Sequence, residues 1–169
     1  MGYDEKIFKA KANIKARRLW LVFAILLTAN YGTDTANGAY SINNYIIFVI
    51  LCWLPFVCGD ILLKRNGKDN DHYRLAFVIG YGIFYVFLLC TTTSPIAFTY
   101  ILPIISLIVI FKDEKFMIYC AVANMLSLIA SIAFHIFVLG QNTAIDHKNF
   151  QLQIACLLLC YIGYIMSVR

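Results

Sequence analysis

FMIYCAVANMLSLIASIAFHIFVL, residues 116–139, runs for 24 positions without Asp, Glu, Lys or Arg. A bilayer crossing takes about 20 predominantly apolar residues. As a helix rising 1.5 Å per residue, this stretch reaches about 36 Å, enough to span the hydrocarbon core of roughly 30 Å. A charged cluster precedes it, Lys112-Asp113-Glu114-Lys115, and a polar one follows, Gly140-Gln141-Asn142-Thr143. The segment reads as a transmembrane helix with both ends marked.

Five more apolar runs flank it: residues 19–37, 44–63, 75–93, 95–111 and 150–168. The first is apolar through Tyr31 and polar from Gly32 to Asn37. Residues 75–111 are too long for one crossing, so the polar Thr91-Thr92-Thr93-Ser94-Pro95 reads as a tight turn between two. Aromatic rings stand near several ends (Trp20, Tyr40, Tyr45, Phe116, Phe150), as amphipathic rings do at the headgroups. The expected fold is therefore all-α: a polytopic membrane helical bundle of six transmembrane helices across residues 19–168, preceded by a basic segment, residues 1–18.

Composition supports this reading. The 169 residues are 62% hydrophobic and 14% charged, with a mean hydropathy of +0.76. Soluble domains average about 45–50% apolar and 25% charged. Disorder, a fibrous protein and a secreted disulfide scaffold are excluded.

Charge then sets orientation. Lys6, Lys9, Lys11, Lys15, Arg17 and Arg18 precede the first run. Lys64, Arg65, Lys68 and Arg74 follow the second, Lys112 and Lys115 follow the fourth, and Arg169 ends the chain. With six crossings, these thirteen of 14 basic residues share one side, and Lys148 is on the other. Short basic loops stay cytoplasmic, so both termini are expected inside the cell membrane. The net charge of +5 reads as a topology signal and an attraction to anionic lipid. Nucleic acid is not an expected partner. The basic start and the apolar residues 19–31 also resemble a cleavable leader, but the gap from Tyr31 to the small residues near Ala39 is long and holds Asp34. A retained first span is the reading taken.

In so apolar a chain, each polar group inside a span is a candidate site. Asp60 is expected near the inner surface, one turn from Lys64. Asp34, with Asn30, Thr33 and Asn37, either lines an outward-facing pocket or caps a solvated helix end. Asn124, Ser127, Ser131 and His135, spaced 3, 4 and 4, share one helical face, a pattern usual in helix–helix packing. Gln153, Cys156, Cys160, Gly163 and Ser167, spaced 3, 4, 3 and 4, have the 3.5 period of a left-handed helix pair. That seam packs inside the bundle or against the same helix of a second copy. Pro55 and Pro103 are expected to kink the second and fourth spans.

The six cysteines all fall in predicted spans, where thiols behave as small hydrophobes. No nucleophile elbow, P-loop, HExxH or nucleotide fingerprint is present. No catalytic residues, cofactor or metal site are proposed, and no enzymatic activity is expected.

The stretch Gly80-Tyr81-Gly82-Ile83-Phe84-Tyr85, with Cys90-Thr91-Thr92-Thr93-Ser94 and Ala97-Phe98-Thr99-Tyr100-Ile101-Leu102-Pro103, resembles the membrane region of clostridial methyl-accepting chemotaxis proteins. Similar six-span inputs precede diguanylate cyclase domains. Trp53-Leu54-Pro55, Phe111-Lys112-Asp113-Glu114-Lys115-Phe116 and Cys160-Tyr161-Ile162-Gly163-Tyr164-Ile165-Met166-Ser167-Val168-Arg169 add to the likeness, which covers about residues 44–169. The resemblance implies a sensory input domain that passes a signal through its last helix to a cytoplasmic signalling domain absent from this chain, which is either a truncated piece or a stand-alone relative needing a partner. It also implies a homodimer. A small-molecule ligand would meet the outer mouth, for which Asp34, Asn37, Thr92, Thr93, Tyr100 and His135 are the candidates. A small transporter or channel-like subunit, and an accessory membrane protein, are the competing readings.

Overall fold

The computed structural model describes residues 3–92 and 97–168. Six α-helices follow in order: α1 (Tyr3–Ala36), α2 (Ile42–Asn66), α3 (His72–Thr91), α4 (Leu102–Val109), α5 (Glu114–Phe137) and α6 (Ala144–Val168). A 3-10 helix, Ala97–Ile101, leads into α4. No strand occurs among the described residues.

Four helices, α2, α3, α5 and α6, are long and apolar enough to cross a membrane. The expected runs 44–63 and 150–168 lie on α2 and α6, and most of 75–93 and 116–139 on α3 and α5. The other two differ from expectation. α1 has 34 residues, about 51 Å of helix, because the basic segment joins the first apolar run in one continuous helix. The polar residues 32–37 also lie on it or just beyond, which lowers its apolarity. Of the run expected over 95–111, the described residues are helical from Ala97 to Val109, about 22 Å at the rises of 3-10 and α-helix. Pro103 does not kink a long helix there. It occupies the first turn of α4, where its missing N–H costs nothing.

Helix ends follow local chemistry. The Ser41 hydroxyl accepts from Asn44 N at 3.2 Å and caps α2. The Asp113 carboxylate accepts from Phe116 N at 2.9 Å and caps α5. At α6, Thr143 Oγ1 accepts from Asp146 N at 3.2 Å while Asp146 Oδ2 accepts from Thr143 N at 2.9 Å. This reciprocal arrangement is a capping box.

The chain divides into two compact units, Met1–Phe84 and Tyr85–Arg169. In the first, α1 and α2 are antiparallel. Asn13 near the start of α1 donates from Nδ2 to Lys68 O (2.9 Å) and Asn70 O (3.0 Å), just beyond α2. Lys9 Nζ lies 2.9 Å from Asp71. Farther along, Trp53 Nε1 donates to Thr28 Oγ1 at 3.1 Å, and Tyr31 stacks on Phe48 with ring centroids 4.1 Å apart. The buried stripe of α1 includes Ala12, Ala16, Trp20 and Ala24, one per turn. Small residues there admit a close neighbour. α3 presents Tyr73, Phe77, Tyr81 and Phe84, all buried, and Trp20 meets Phe77 and Tyr81 edge-on at 5.3 Å each. Glycines let α2 and α3 approach: a Cβ at Gly80 would stand 2.7 Å from Pro55 Cγ, and one at Gly59 2.6 Å from the Tyr73 ring.

Asp60 has the partner expected for it and one more. Lys64 Nζ is 3.1 Å from Asp60 Oδ2, and Arg17 pairs with the other carboxylate oxygen. The Arg17 guanidinium also lies over the Phe56 ring, 5.4 Å from its centroid.

In the second unit, α5 buries Met117, Cys120, Asn124, Leu128, Ser131 and His135, a continuous helical face. α6 answers with Phe150, Gln153, Leu157 and Tyr161. Asn124 Nδ2 donates to the Tyr161 hydroxyl in the buried centre of this pair. Ser106 of α4 and Tyr164 of α6 share a hydrogen bond at 3.3 Å.

Candidate functional site

A small polar cavity of about 70 Å³ lies in the second unit, where α3 and α5 end and α6 begins. Leu89 and Thr92 come from the α3 end, and Ala97 and Phe98 from the 3-10 helix. Ser131, Ile132 and His135 come from α5, with Gln141 just after it. The first turns of α6 add Asp146, Asn149, Phe150 and Gln153. The cavity is roomy enough to hold water or a small solute.

His135 is 7% exposed and held at both ring nitrogens. Nε2 lies 2.7 Å from Leu89 O. A carbonyl only accepts, so Nε2 carries the proton. Leu89 is in the last turn of α3, where carbonyls lose their helical partners, and His135 supplies one donor there. Nδ1 faces the Gln141 side-chain amide at 2.9 Å. Gly140, with φ +69°, turns the chain so that Gln141 N reaches back to His135 O at 3.0 Å.

Thr92 has a different status. It is 5% exposed, and its Oγ1 has no hydrogen-bond partner among the described residues. A buried hydroxyl without a partner costs about 1–3 kcal/mol. The hydroxyl has almost no accessible surface, so a solute in the cavity does not reach it in this packing.

Two of the six candidates from the sequence, Thr92 and His135, come together on this cavity. Thr93 lies outside the described residues. Tyr100 is half-buried in the 3-10 helix and does not line the cavity. Asp34 and Asn37 belong to the first unit, Asp34 half-buried in α1 and Asn37 exposed just past its end. A shallow groove in that unit, bordered by Thr28, Gly32, Thr33 and Tyr45, includes neither of them.

The proposed α6 seam changes character along its length. Gln153 is buried, Cys156 and Cys160 are half-buried, and Gly163 and Ser167 are exposed. A Cβ at Gly163 would meet nothing within 4 Å. The face that packs within the chain is Phe150, Gln153, Leu157 and Tyr161 instead, so most of the seam lies beside it. On α5, Asn124, Ser131 and His135 are buried as one face, while Ser127 is half-buried and bonds its own helix at Ala123 O, 2.9 Å away.

Gln141, Asp146 and Asn149 were not anticipated at this site. The capping box Thr143-x-x-Asp146 was the available signal, since it starts α6 six residues before the expected 150. No group of three or more His, Cys, Asp or Glu able to hold a metal occurs among the described residues, and the six cysteines are free thiols. Comparison with family models, with curated proteins and with solved structures found no match.

Proposed function

We propose that this chain is the sensory input part of a membrane signal transducer. A small solute entering the α3–α5–α6 cavity shifts α6, and α6 passes the shift to a cytoplasmic signalling partner. The observation that carries this reading is the small polar cavity whose wall is shared by α3, α5 and α6. α6 contributes four residues to the cavity, yet only 11% of its most apolar stretch is buried, against 28–33% for α2, α3 and α5. A transducer needs two packings separated by a few kcal/mol, and a lightly packed helix touching the ligand is the element such a difference moves.

In this reading the chain crosses the membrane six times, α1 and the 97–109 helical run supplying the two crossings beyond the four long apolar helices. Both termini are cytoplasmic. The contacts of Lys9 with Asp71 and of Asn13 with Lys68 O support it, because they place the basic N-terminal segment beside the basic α2–α3 loop. The exposed Gly163 and Ser167 make the cytoplasmic half of α6 the contact between two copies. Asn124 is engaged by Tyr161, which removes the principal mid-span polar residue from a transport site.

The test uses the full chain in proteoliposomes with a panel of small amines, amides, alcohols and carboxylates. Cysteines at positions 156, 160, 163 and 167, each alone, are expected to crosslink between copies more readily than those at intervening positions, and a binding solute is expected to change the rates. Net accumulation of a solute in the vesicles would replace this reading with transport.

A further inference from the structure

The geometry points to an anionic phospholipid as the occupant of the outward face of α1, with its phosphate held by Lys11, Lys15 and Arg18. This inference rests on the membrane placement of the chain and not on the sensory reading. Lys11, Lys15, Arg18, Val22, Ile25 and Ala29 are spaced 4, 3, 4, 3 and 4, so they lie on one face through about five turns of α1. All six are exposed. The buried Ala12, Ala16, Trp20 and Ala24 occupy the opposite face.

The outward face changes character once. Val22, Ile25 and Ala29 are apolar and suit acyl chains, whereas Lys11, Lys15 and Arg18 are basic. No acid pairs with these three among the described residues. Their inward-turned neighbours are neutralised: Lys9 by Glu5 and Asp71, and Arg17 by Asp60. Lys11 to Arg18 covers about 10 Å of helix axis, close to the depth of one headgroup layer, roughly 5–8 Å. Long basic side chains bend along such a boundary and keep their charged ends in the polar zone. α2 follows the same plan with one difference. Its exposed Ile50, Leu54, Val57 and Ile61 lead to Lys64, but Lys64 is held by Asp60 at 3.1 Å. The uncompensated charge is therefore on α1.

A lipid whose chain lies along Val22 and Ile25 brings its phosphate to Arg18 and Lys15. The Arg18 guanidinium presents a planar fork to the phosphate oxygens, and the ammonium groups of Lys15 and Lys11 add charge beside it. Phosphatidylcholine carries its own cation into this group of three, and phosphatidylglycerol carries none. The net negative headgroup is favoured, by roughly fivefold for each basic residue near the membrane surface.

The experiment places the full chain in phosphatidylcholine liposomes with a trace of photoactivatable lipid, its diazirine on the acyl chain. The two probes are phosphatidylglycerol and phosphatidylcholine with identical chains. Peptide mass spectrometry after irradiation counts the adducts on residues 19–31. Phosphatidylglycerol is expected to label this stretch on the order of tenfold more than phosphatidylcholine, and the excess is expected to shrink at high salt. The triple variant Lys11→Gln, Lys15→Gln, Arg18→Gln is expected to lose the excess and to keep its phosphatidylcholine labelling, which reports an intact fold. Lys6→Gln, Lys68→Gln and Lys115→Gln together remove the same charge at other exposed positions and are expected to keep most of the excess. Lys15→Gln alone is expected to lower it about fivefold. Equal labelling by the two probes would overturn the proposal. An excess that survives the first triple variant would do the same, and so would equal loss in both triples, the mark of a diffuse charge effect. If the first triple variant alters phosphatidylcholine labelling, Lys15→Gln decides, and an unchanged excess there refutes the site. None of these outcomes involves α6 crosslinking, so the sensory reading stands or falls separately.

Discussion

Gly80→Ala and Gly82→Ala make a matched pair on α3. The same hydrogen becomes the same methyl two residues apart, on different faces of one helix. At Gly80 the new Cβ would stand 2.7 Å from Pro55 Cγ, 3.0 Å from Pro55 Cβ and 3.3 Å from Pro55 Cα. Carbon atoms prefer about 3.5–4.0 Å, so α2 and α3 must separate by roughly 1 Å. The proline ring cannot rotate away, because it is closed onto its own backbone. Overpacking of this kind costs about 1–3 kcal/mol, and the rigid ring argues for the upper part of that range. At Gly82 a Cβ would meet nothing within 4 Å. Both changes share the gain of up to about 1 kcal/mol from replacing helical glycine by alanine, so subtracting one from the other leaves the steric cost. Gly80→Ala is therefore expected to be about 2–3 kcal/mol less stable than Gly82→Ala. Reversible unfolding of the chain in mixed detergent micelles measures this, followed by tryptophan fluorescence, since Trp20 packs against Phe77 and Tyr81 of the same helix. Equal stability of the two variants would refute the close approach of Pro55 to Gly80.

Further outcomes follow from the polar contacts. Tyr161→Phe leaves Asn124 Nδ2 without its acceptor and is expected to cost about 0.5–2 kcal/mol, the range of interhelical hydrogen bonds in membranes. The double variant with Asn124→Leu is expected to recover part of that loss, and a double-mutant cycle of unfolding free energies reads the coupling. His135→Phe removes the donor to Leu89 O and is expected to destabilise the second unit by about 1–3 kcal/mol, seen as faster amide exchange at the end of α3. Asp60→Asn leaves Arg17 and Lys64 without their shared carboxylate. Their side chains are 40% and 77% exposed, so the expected loss of unfolding free energy is only about 1 kcal/mol.

Long apolar runs made α2, α3, α5 and α6 legible, because nothing in water accommodates 20 such residues in a row. Of the run expected over 95–111, Ala97–Val109 is helical among the described residues. Pro103 was read as a kink within a span, whereas a proline so close to a 3-10 segment starts the α-helix. Helix α6 begins at Ala144, ahead of the apolar run from 150, because Thr143 and Asp146 cap it. Thr92 and His135 were recognisable as polar groups near span ends. Their meeting was not, because it depends on which helices are neighbours. Asn13 shows the same limit. In sequence it is one polar residue among lysines, and in the fold it is 3% exposed and ties α1 to the α2–α3 loop.

Movement of α6 against α5 on ligand binding is the central claim. The measurement is the rate of disulfide formation between cysteine pairs placed along these two helices, one pair at a time, with the native cysteines replaced, in nanodiscs with and without a solute of the panel that binds. A shift of α6 by one to two ångströms, the usual scale of such transitions, predicts reciprocal changes: faster closure at some pairs and slower closure at their neighbours one turn away. Saturable binding of such a solute with unchanged rates at every pair would contradict the account.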